Sequence, residues 1–328
     1  MSAAEAHAAE TGRPRLGLTA IILTFNEELH LARALSSISG LADEVFVIDS
    51  FSTDRTLEIA ESHGARVLQH AFVNQAKQFQ WALDHAPISG EWVLRLDADE
   101  IIEADLADNI RRTLPSLPQD ITGINLKRKH IFMGRWIRHG GRYPVTLLRI
   151  FRRGMARVED RWMDEHILIK SGRTITLDGG FADHNLNDLS YFTEKHNRYA
   201  TREAIEVLNQ RYGFLDSGSD SAGRRTSRQA AFKRLVKEHL YNRMPGALAA
   251  LLYFLFRYVA QFGFLDGREG LVYHVLQGFW YRFLVAAKVM ELERAIRPVA
   301  HERELVLDEI ARLTGLRLQP QAPARHRP

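Results

Sequence analysis

"LTAIILTFN", residues 18–26, decides how the chain is to be read. It is apolar and rich in β-branched residues, carries no charge, and stops at Asn26 and Glu27. A run with no polar alternation suits a strand covered on both faces, so it predicts a parallel-sheet strand. The next stretch, "EELHLARALSSIS", puts Leu29, Ala32, Leu35 and Ile38 at helical spacing. The alternation then repeats. "EVFVIDS" predicts a strand and "STDRTLEIAESHG" a helix with Ser52 or Thr53 at its N-cap. "ARVLQH" is a short strand, a helix covers 74–86 before Pro87, and "GEWVLRL" is a further strand. This pattern predicts an α/β fold with an open, mostly parallel nucleotide-binding sheet, whose ligands sit beyond the carboxyl ends of the strands.

Three of those strands end in polar clusters: "TFNEE" at 24–28, "DSFSTD" at 49–54 and "DADE" at 97–100. In an open parallel sheet they are expected to converge on one edge. Asp97 and Asp99 flank the small Ala98, and in an extended segment residues two apart face the same side. Like charges gathered in one place are unfavourable without a cation beside them. Mg²⁺ or Mn²⁺ is the simplest such partner: a hard ion held by one or two carboxylates and the phosphate oxygens of a substrate. With a diphosphate there, Asp49 is placed to accept hydrogen bonds from a base N–H or a ribose hydroxyl. Phe25 or the backbone around Thr24 would flank the base. Lys77, one helix upstream of the Asp pair, could reach a phosphate; taken alone it reads more readily as a solvated helix lysine.

From about 120 to 185 the segments "TGINLKRKHIF", "VTLLRIFRR" and "RTITLDGGF" alternate with Gly-rich or basic turns, which predicts an antiparallel part laid beside the first sheet. Residues 189–213 form a helix, and the Ser/Gly-rich "DSGSDSAGRRTSRQ" is a linker. Beyond it, "PGALAALLYFLFRYVAQFGF" (245–264) has Arg257 as its only charge, and "LVYHVLQGFWYRFLVAAK" (271–288) follows. Arg257, His274 and Arg282 interrupt both as membrane spans, while their aromatics and flanking Lys/Arg suit helices lying in a membrane interface. A soluble helical core is the competing reading. The expected organisation is a disordered N-terminus (1–16), a catalytic domain (17–215), a linker (216–230), a helical, membrane-associated extension (231–315) and a disordered tail (316–328).

Composition bounds the function. With 328 residues, 45% hydrophobic and 26% charged, the body is ordinary globular protein, and the absence of cysteine excludes disulfides and thiolate metal sites. The N-terminal "MSAAEAHAAETGRPR" has no apolar core of a secretory signal, so a cytoplasmic working face is expected. A net charge of +4 admits nucleic acid, an anionic membrane or a phosphorylated substrate as partners. Much of the positive charge is concentrated between Lys127 and Arg161.

"AIILTFNEE", "VFVIDSFSTDRT", "NQAKQFQWAL" and "GEWVLRLDADE" resemble the successive motifs of inverting family 2 glycosyltransferases with the GT-A fold. The resemblance implies that Thr24, Phe25, Asn26, Glu27 and Asp49 bind uridine and that Asp97 and Asp99 hold the diphosphate and metal. "RWMDEHI", "KHNRYATREA" and "GFLDGREGLVYHVLQGFWYRFLVAAK" are similar to later blocks of the bacterial lipopolysaccharide-core branch. Phe25 departs from the more usual Tyr, keeping the aromatic face without the hydroxyl. An inverting transfer needs a general base for the acceptor hydroxyl. The family places a carboxylate at "MDEH", so Glu165 is the first candidate and Asp164 the second, with His166 beside them to orient it.

The expected protein is therefore a hexosyltransferase using a UDP-sugar or other nucleotide-sugar donor. Its acceptor would be lipid-linked or a lipopolysaccharide-core saccharide in envelope polysaccharide synthesis, and its basic stretch would meet acceptor or leaving-group phosphate. It would work at the cytoplasmic face of the inner membrane as a peripheral or monotopic protein, without nucleic acid. Two other nucleotide enzymes, a sugar-nucleotide pyrophosphorylase and a dinucleotide oxidoreductase, lack the Gly-rich loop they require after the first strand. A basic, non-catalytic binder of membrane or nucleic acid remains the alternative, and it leaves the acidic strand ends without a role.

Overall fold

A computed structural model of the protein describes residues 15–159, 166–215, 246–316 and 318. The expected disordered N-terminus (1–16), the expected linker (216–230) and the tail beyond residue 318 fall almost wholly outside them. The described part divides into two compact units. One comprises residues up to Leu186 together with Leu265–Gly270; the other comprises Asn187–Phe264 and the chain from Leu271 onward.

The first unit is built on a nine-stranded sheet. Its parallel half consists of β1 (Leu18–Thr24), β2 (Glu44–Asp49), β3 (Arg66–Gln69) and β4 (Trp92–Asp97), in the order β3-β2-β1-β4. β1 pairs in register with both β2 and β4, so it lies at the centre. Its side chains alternate between two cores. Leu18, Ala20 and Ile22 join a cluster with Leu31, Leu35 and Ile38, while Ile21 joins Phe46, Ile48, Phe79 and Val93 on the other face. That double burial explains the uninterrupted apolar run, since each such side chain removed from water contributes about 1.5–3 kcal/mol.

Helices α1 (Leu31–Ser37), α2 (Thr56–Ser62) and α3 (Gln75–His85) connect these strands, and α4 (Ala104–Thr113) follows β5 (Glu100–Ile102). α1 buries Leu31, Ala34 and Leu35; Leu29, expected on its apolar face, is exposed. The helix begins later than the spacing suggested, because the Glu27 carbonyl accepts the His30 and Leu31 N–H groups in an entry turn. α2 likewise begins at Thr56 rather than after Ser52 or Thr53. Asp54 accepts the Thr56 N–H at 3.0 Å, and Ser52 and Thr53 serve the neighbouring loops. α3 starts as expected, with the Asn74 side chain accepting the Lys77 N–H at 2.7 Å.

The other half of the sheet adds β8 (Val145–Arg152), β6 (Ile121–Phe132), β11 (Arg173–His184) and β5, with β7 (Arg135–Ile137) on β6. β4–β8, β6–β8, β6–β7 and β5–β11 are antiparallel. β6 and β11 are parallel, a departure from the expected all-antiparallel half. A separate antiparallel pair, β9 (Ala156–Val158) with β10 (Ile167–Ile169), lies in the connection from β8 to β11.

The second unit is helical. α5 (Leu189–Tyr212) is capped by Asp188 and ends at Gly213, whose φ of +67° is the left-handed conformation glycine adopts without strain. The sequence reading grouped this helix with the catalytic domain, whereas it lies in the second unit, where Ala200, Ala204, Ile205 and Leu208 pack with Tyr281, Val285, Val289, Leu292 and Ile296 of α8 (Tyr281–Ile296). Val306, Leu307 and Ile310 of α9 (Arg303–Thr314) join the same cluster, as do Leu316 and Leu318 from the start of the expected tail. α6 (Gly246–Leu255) and α7 (Gly267–Tyr273) are each prolonged by a π-helical segment, Phe256–Ala260 and His274–Trp280.

Candidate active site

The three polar strand ends do meet at one edge. Thr24 pairs with Asp49 across β1 and β2, and Leu23 pairs with Asp97 across β1 and β4. Asp49 is fully buried. One of its carboxylate oxygens accepts the Thr24 and Ser52 hydroxyls, and the other accepts the Ser52 N–H at 2.8 Å and Gln69 Nε2 at 3.3 Å. A carboxylate offers about four acceptor positions, so Asp49 is saturated by its own chain.

The loops after β1 and β2 are laced together above it. Asn26 N–H donates to Ser52 Oγ at 2.9 Å, and Thr53 N–H returns a bond to Asn26 Oδ1 at 2.9 Å. Glu27 N–H donates to Thr56 Oγ1 at 2.8 Å. Asn26 and Phe51 take φ values of +55° and +61°. Asn tolerates that region through its short polar side chain; for Phe51 it costs roughly 1–2 kcal/mol. Backbone strain of this kind clusters where function needs a particular geometry. Phe25 and Phe51 are both more than half exposed on this edge.

Asp97 ends β4, and Ala98 and Asp99 form a turn before β5. The extended geometry that would aim both carboxylates the same way is therefore interrupted, and the two carboxylates have different partners. Asp97 accepts Arg149 Nη2 at 3.0 Å and Arg95 Nε at 3.4 Å. Arg149 also donates to Glu100 at 2.6 Å, and the other oxygen of Glu100 accepts the Asp97 N–H at 3.0 Å. Burial works against a charge on Asp97, but Arg149 and then Arg95 outweigh it and hold the carboxyl well below its usual range. Burial pushes Glu100 up to about 8, with the Asp97 charge adding and Arg149 opposing. Arg149 therefore faces one ionised and one protonated carboxyl at neutral pH. The acidic cluster is thus balanced in part by arginine and by a retained proton, where the sequence reading looked to a metal ion for the whole balance.

Asp99 is held by the segment after β11. Its carboxylate accepts Asn185 Nδ2 at 3.0 Å and its carbonyl accepts the His184 N–H at 2.9 Å. Arg33 feels the Asp99 charge and donates to the His184 carbonyl at 2.8 Å. Burial, then Arg33 and His30, lower the His184 pKa, which keeps its ring neutral at pH 7. The next residue but one, Leu186, donates its N–H to His30 Nε2 at 3.0 Å. His30 Nδ1 lies 2.7 Å from Glu27 Oε2, so an Nδ1–H tautomer satisfies both contacts. Three consecutive residues, 184–186, thus connect the turn at Asp99 to the first strand-end loop.

Among the described residues no group of three or more His, Cys, Asp or Glu forms a metal cage. The donors fit a hard divalent ion that arrives with a diphosphate. Asp99 supplies carboxylate oxygen, and such ions commonly need only one or two carboxylates beside substrate phosphates.

Lys77 is exposed on the first turn of α3. Glu165 and Asp164 lie outside the described residues, and the neighbouring His166 is exposed, its carbonyl accepting the Glu159 N–H at 2.9 Å. Much of the basic stretch is already paired. Lys127 meets Asp178 at 2.7 Å, Arg128 lies 3.7 Å from Asp183, Lys129 bonds Glu103, and Arg152 bonds Glu91. Arg138, in the turn after β7, is exposed.

Sequence reasoning missed Arg149, Asn185, His184, His30 and Arg33. Arg95 sits inside "LRLDADE" and Arg149 inside the basic stretch, so each had a visible position without a visible partner. Asn185, 86 residues from Asp99, gave no signal at all.

Comparison with known proteins agrees with the strand-end motifs. Residues 19–173 match the model of Glycosyl transferase family 2. An uncharacterized glycosyltransferase of Rickettsia bellii is 39% identical over 103 residues, which is 31% of this chain; the match spans about a third (34%) of that relative's length. The lipopolysaccharide core biosynthesis glycosyltransferase LpsC of Rhizobium meliloti is 25% identical over 294 residues, covering 85% of this chain and 93% of the relative. Among solved structures, S. aureus TarS 1–349 in complex with UDP-GlcNAc aligns with a TM-score of 0.40 at 18% identity, covering 91% of this chain and 92% of that one.

Proposed function

We propose that this chain is an inverting glycosyltransferase that moves a sugar from a UDP-sugar, or a related nucleotide-sugar, to a lipid-linked or lipopolysaccharide-core saccharide. The observation that carries the reading is the gathering of Thr24, Asp49 and Asp97 on three adjacent parallel strands, with two aromatic side chains exposed beside them. Ligands of open α/β sheets bind at that edge. The likeness to LpsC along most of both chains supports the choice of acceptor class.

In this reading Phe25 and Phe51 offer their faces to the base. Asp49 engages the nucleoside by giving up its longest contact, the 3.3 Å bond from Gln69, since its other acceptor positions hold the two loops together. Arg149 and Arg95 keep Asp97 ionised and fixed in place. Asn185 orients Asp99, which with the donor diphosphate would hold Mg²⁺ or Mn²⁺. That ion would supply positive charge to stabilise the departing diphosphate. Glu165, or Asp164 in its place, takes the proton from the acceptor hydroxyl as it attacks the anomeric carbon, and Lys77 and Arg138, both exposed, are cations offered to phosphate.

The test is a panel of UDP-sugars with and without Mn²⁺, read by thermal unfolding and by sugar transfer. A donor at 100 times its Kd should stabilise the protein by about 2.7 kcal/mol. Asp99→Ala should abolish the metal-dependent part while leaving the fold intact. Absence of stabilisation by every nucleotide-sugar with wild-type protein would end the proposal.

A further inference from the structure

The helix from Gly246 to Ala260 has its polarity reversed. Every exposed position between Ala247 and Phe262 is apolar: Ala247, Leu248, Leu251, Leu252, Leu255, Phe256, Val259, Ala260 and Phe262. Phe256, Val259 and Phe262 are 53%, 55% and 57% exposed. The one charged residue, Arg257, is turned inward and only 4% exposed, with its guanidinium over the rings of Tyr253 and Tyr273 at 5.5 and 5.9 Å. His274 is buried beside it, its ring 6.0 Å from that of Tyr258. A helix in water turns its charges outward and its leucines inward. This one does the opposite, which is the arrangement expected where the outer medium is hydrocarbon.

We propose that this helix and the apolar face continuing along Phe264, Leu271, Val275 and Phe283 lie in one leaflet of an anionic lipid bilayer. Two further observations select lipid over a second protein surface. In the sequence, residues 224–243 immediately before the helix contain seven Lys or Arg and a single Glu, a charge complement to anionic headgroups. The geometry also suits shallow insertion. No single described helix is long and apolar enough to cross a membrane, and Gly246–Ala260 meets Gly263–Val299 at a 72° bend. At about 1.5 Å per residue the first limb is roughly 22 Å long, short of a hydrocarbon core of about 30 Å.

The bend is built in. Phe262 takes a φ of +59°, and a Cβ on Gly263 would come within 2.7 Å of the buried His274 ring. At the start of the helix, Gly246 allows close approach to α8, since a Cβ there would lie 2.4 Å from that of Ala286. Both glycines hold the helix against the unit that carries it, leaving the leucine and phenylalanine face outward.

The inference stands apart from the glycosyltransferase reading, and its test needs no sugar. The full chain is co-sedimented with vesicles of phosphatidylethanolamine and phosphatidylglycerol, beside a triple variant, Leu252→Glu, Phe256→Glu and Val259→Glu. These side chains are exposed, so unfolding temperature and circular dichroism should match wild type. Vesicle binding should fall at least tenfold in the variant. In a second arm, the added fluorescence of a Phe256→Trp variant should be quenched by brominated acyl chains and should stay quenched at high salt. Equal partitioning of triple variant and wild type, or wild type left in the supernatant, would overturn the proposal. So would a Phe256→Trp signal untouched by brominated lipid, or a wild-type dimer that the triple variant splits while vesicle binding persists.

Discussion

The strand-end edge of the first unit and the Gly246–Ala260 helix of the second handle charge in opposite ways. At the edge, carboxylates are collected and compensated by arginine, amide donors and a proton held on Glu100. On the helix the lone guanidinium is folded inward and apolar side chains face out. Charge gathered and compensated at one surface suits the charged, hydrated ligand proposed for it, and charge withdrawn from the other suits the lipid proposed there. The same chain thus shows two surfaces whose polarity describes what should lie against each.

Three substitutions sharpen this contrast on the charged side. The largest effect is expected for Arg149→Met. It leaves Asp97 and Glu100 together in a buried site without their shared cation, and breaking a buried pair typically costs about 3–5 kcal/mol. Urea unfolding at pH 7 should show that loss; a change under about 1 kcal/mol, the worth of a surface pair, would mean the arginine is not what balances the cluster.

Asn185→Ala should matter less to folding and more to the ion. Groups that orient a metal's carboxylate are usually worth about 10–100-fold in metal affinity. The Mn²⁺ concentration giving half-maximal stabilisation in the presence of UDP should rise by about that factor, with the unfolding midpoint of the metal-free protein nearly unchanged.

The third effect is a matter of pH. Glu100 is raised from 4.5 to about 8, so the folded protein holds a proton that the unfolded chain releases between those values. Its contribution to stability is complete below about 4.5 and is lost as pH rises toward 8. Asp97, lowered, has the opposite sign and adds a contribution that disappears only in acid, below its ordinary 3.8. Glu100→Gln keeps a neutral side chain of the same shape, so its stability should decline less between pH 5 and 8 than that of wild type. Parallel stability–pH curves would show that Glu100 carries no extra proton.

Local pattern was enough for the parallel half of the sheet. Six of the seven residues of β1 are buried, which favours a mostly apolar run, and a strand leaving the core must become polar, so both the strands and their acidic ends stood out. Helix starts were read less well. Ser52 looked like a cap for α2, but its hydroxyl and N–H are committed to Asp49, and Asp54 bonds the first turn instead. The distant contacts were invisible. Arg149 and Asp97 are 52 residues apart, and His30 and Leu186 are 156 apart. A side chain's partner across such a separation depends on strand order, as where β8 enters antiparallel beside β4 and β11 lies beside β5.

By itself, then, the amino-acid order determined that β1, β2 and β4 would be buried strands with polar exits, that motifs resembling those of family 2 glycosyltransferases lie along them, and that one late helix carries a single charge. Burial periodicity and turn chemistry act over a few residues, and a chain displays them without being folded. Folding alone decided that Arg149 and Arg95 stand against Asp97, that Asn185 reaches Asp99, and that Arg257 faces inward. Those are choices of direction and neighbour, made when separate segments compete for the same space and the same few hydrogen-bond donors.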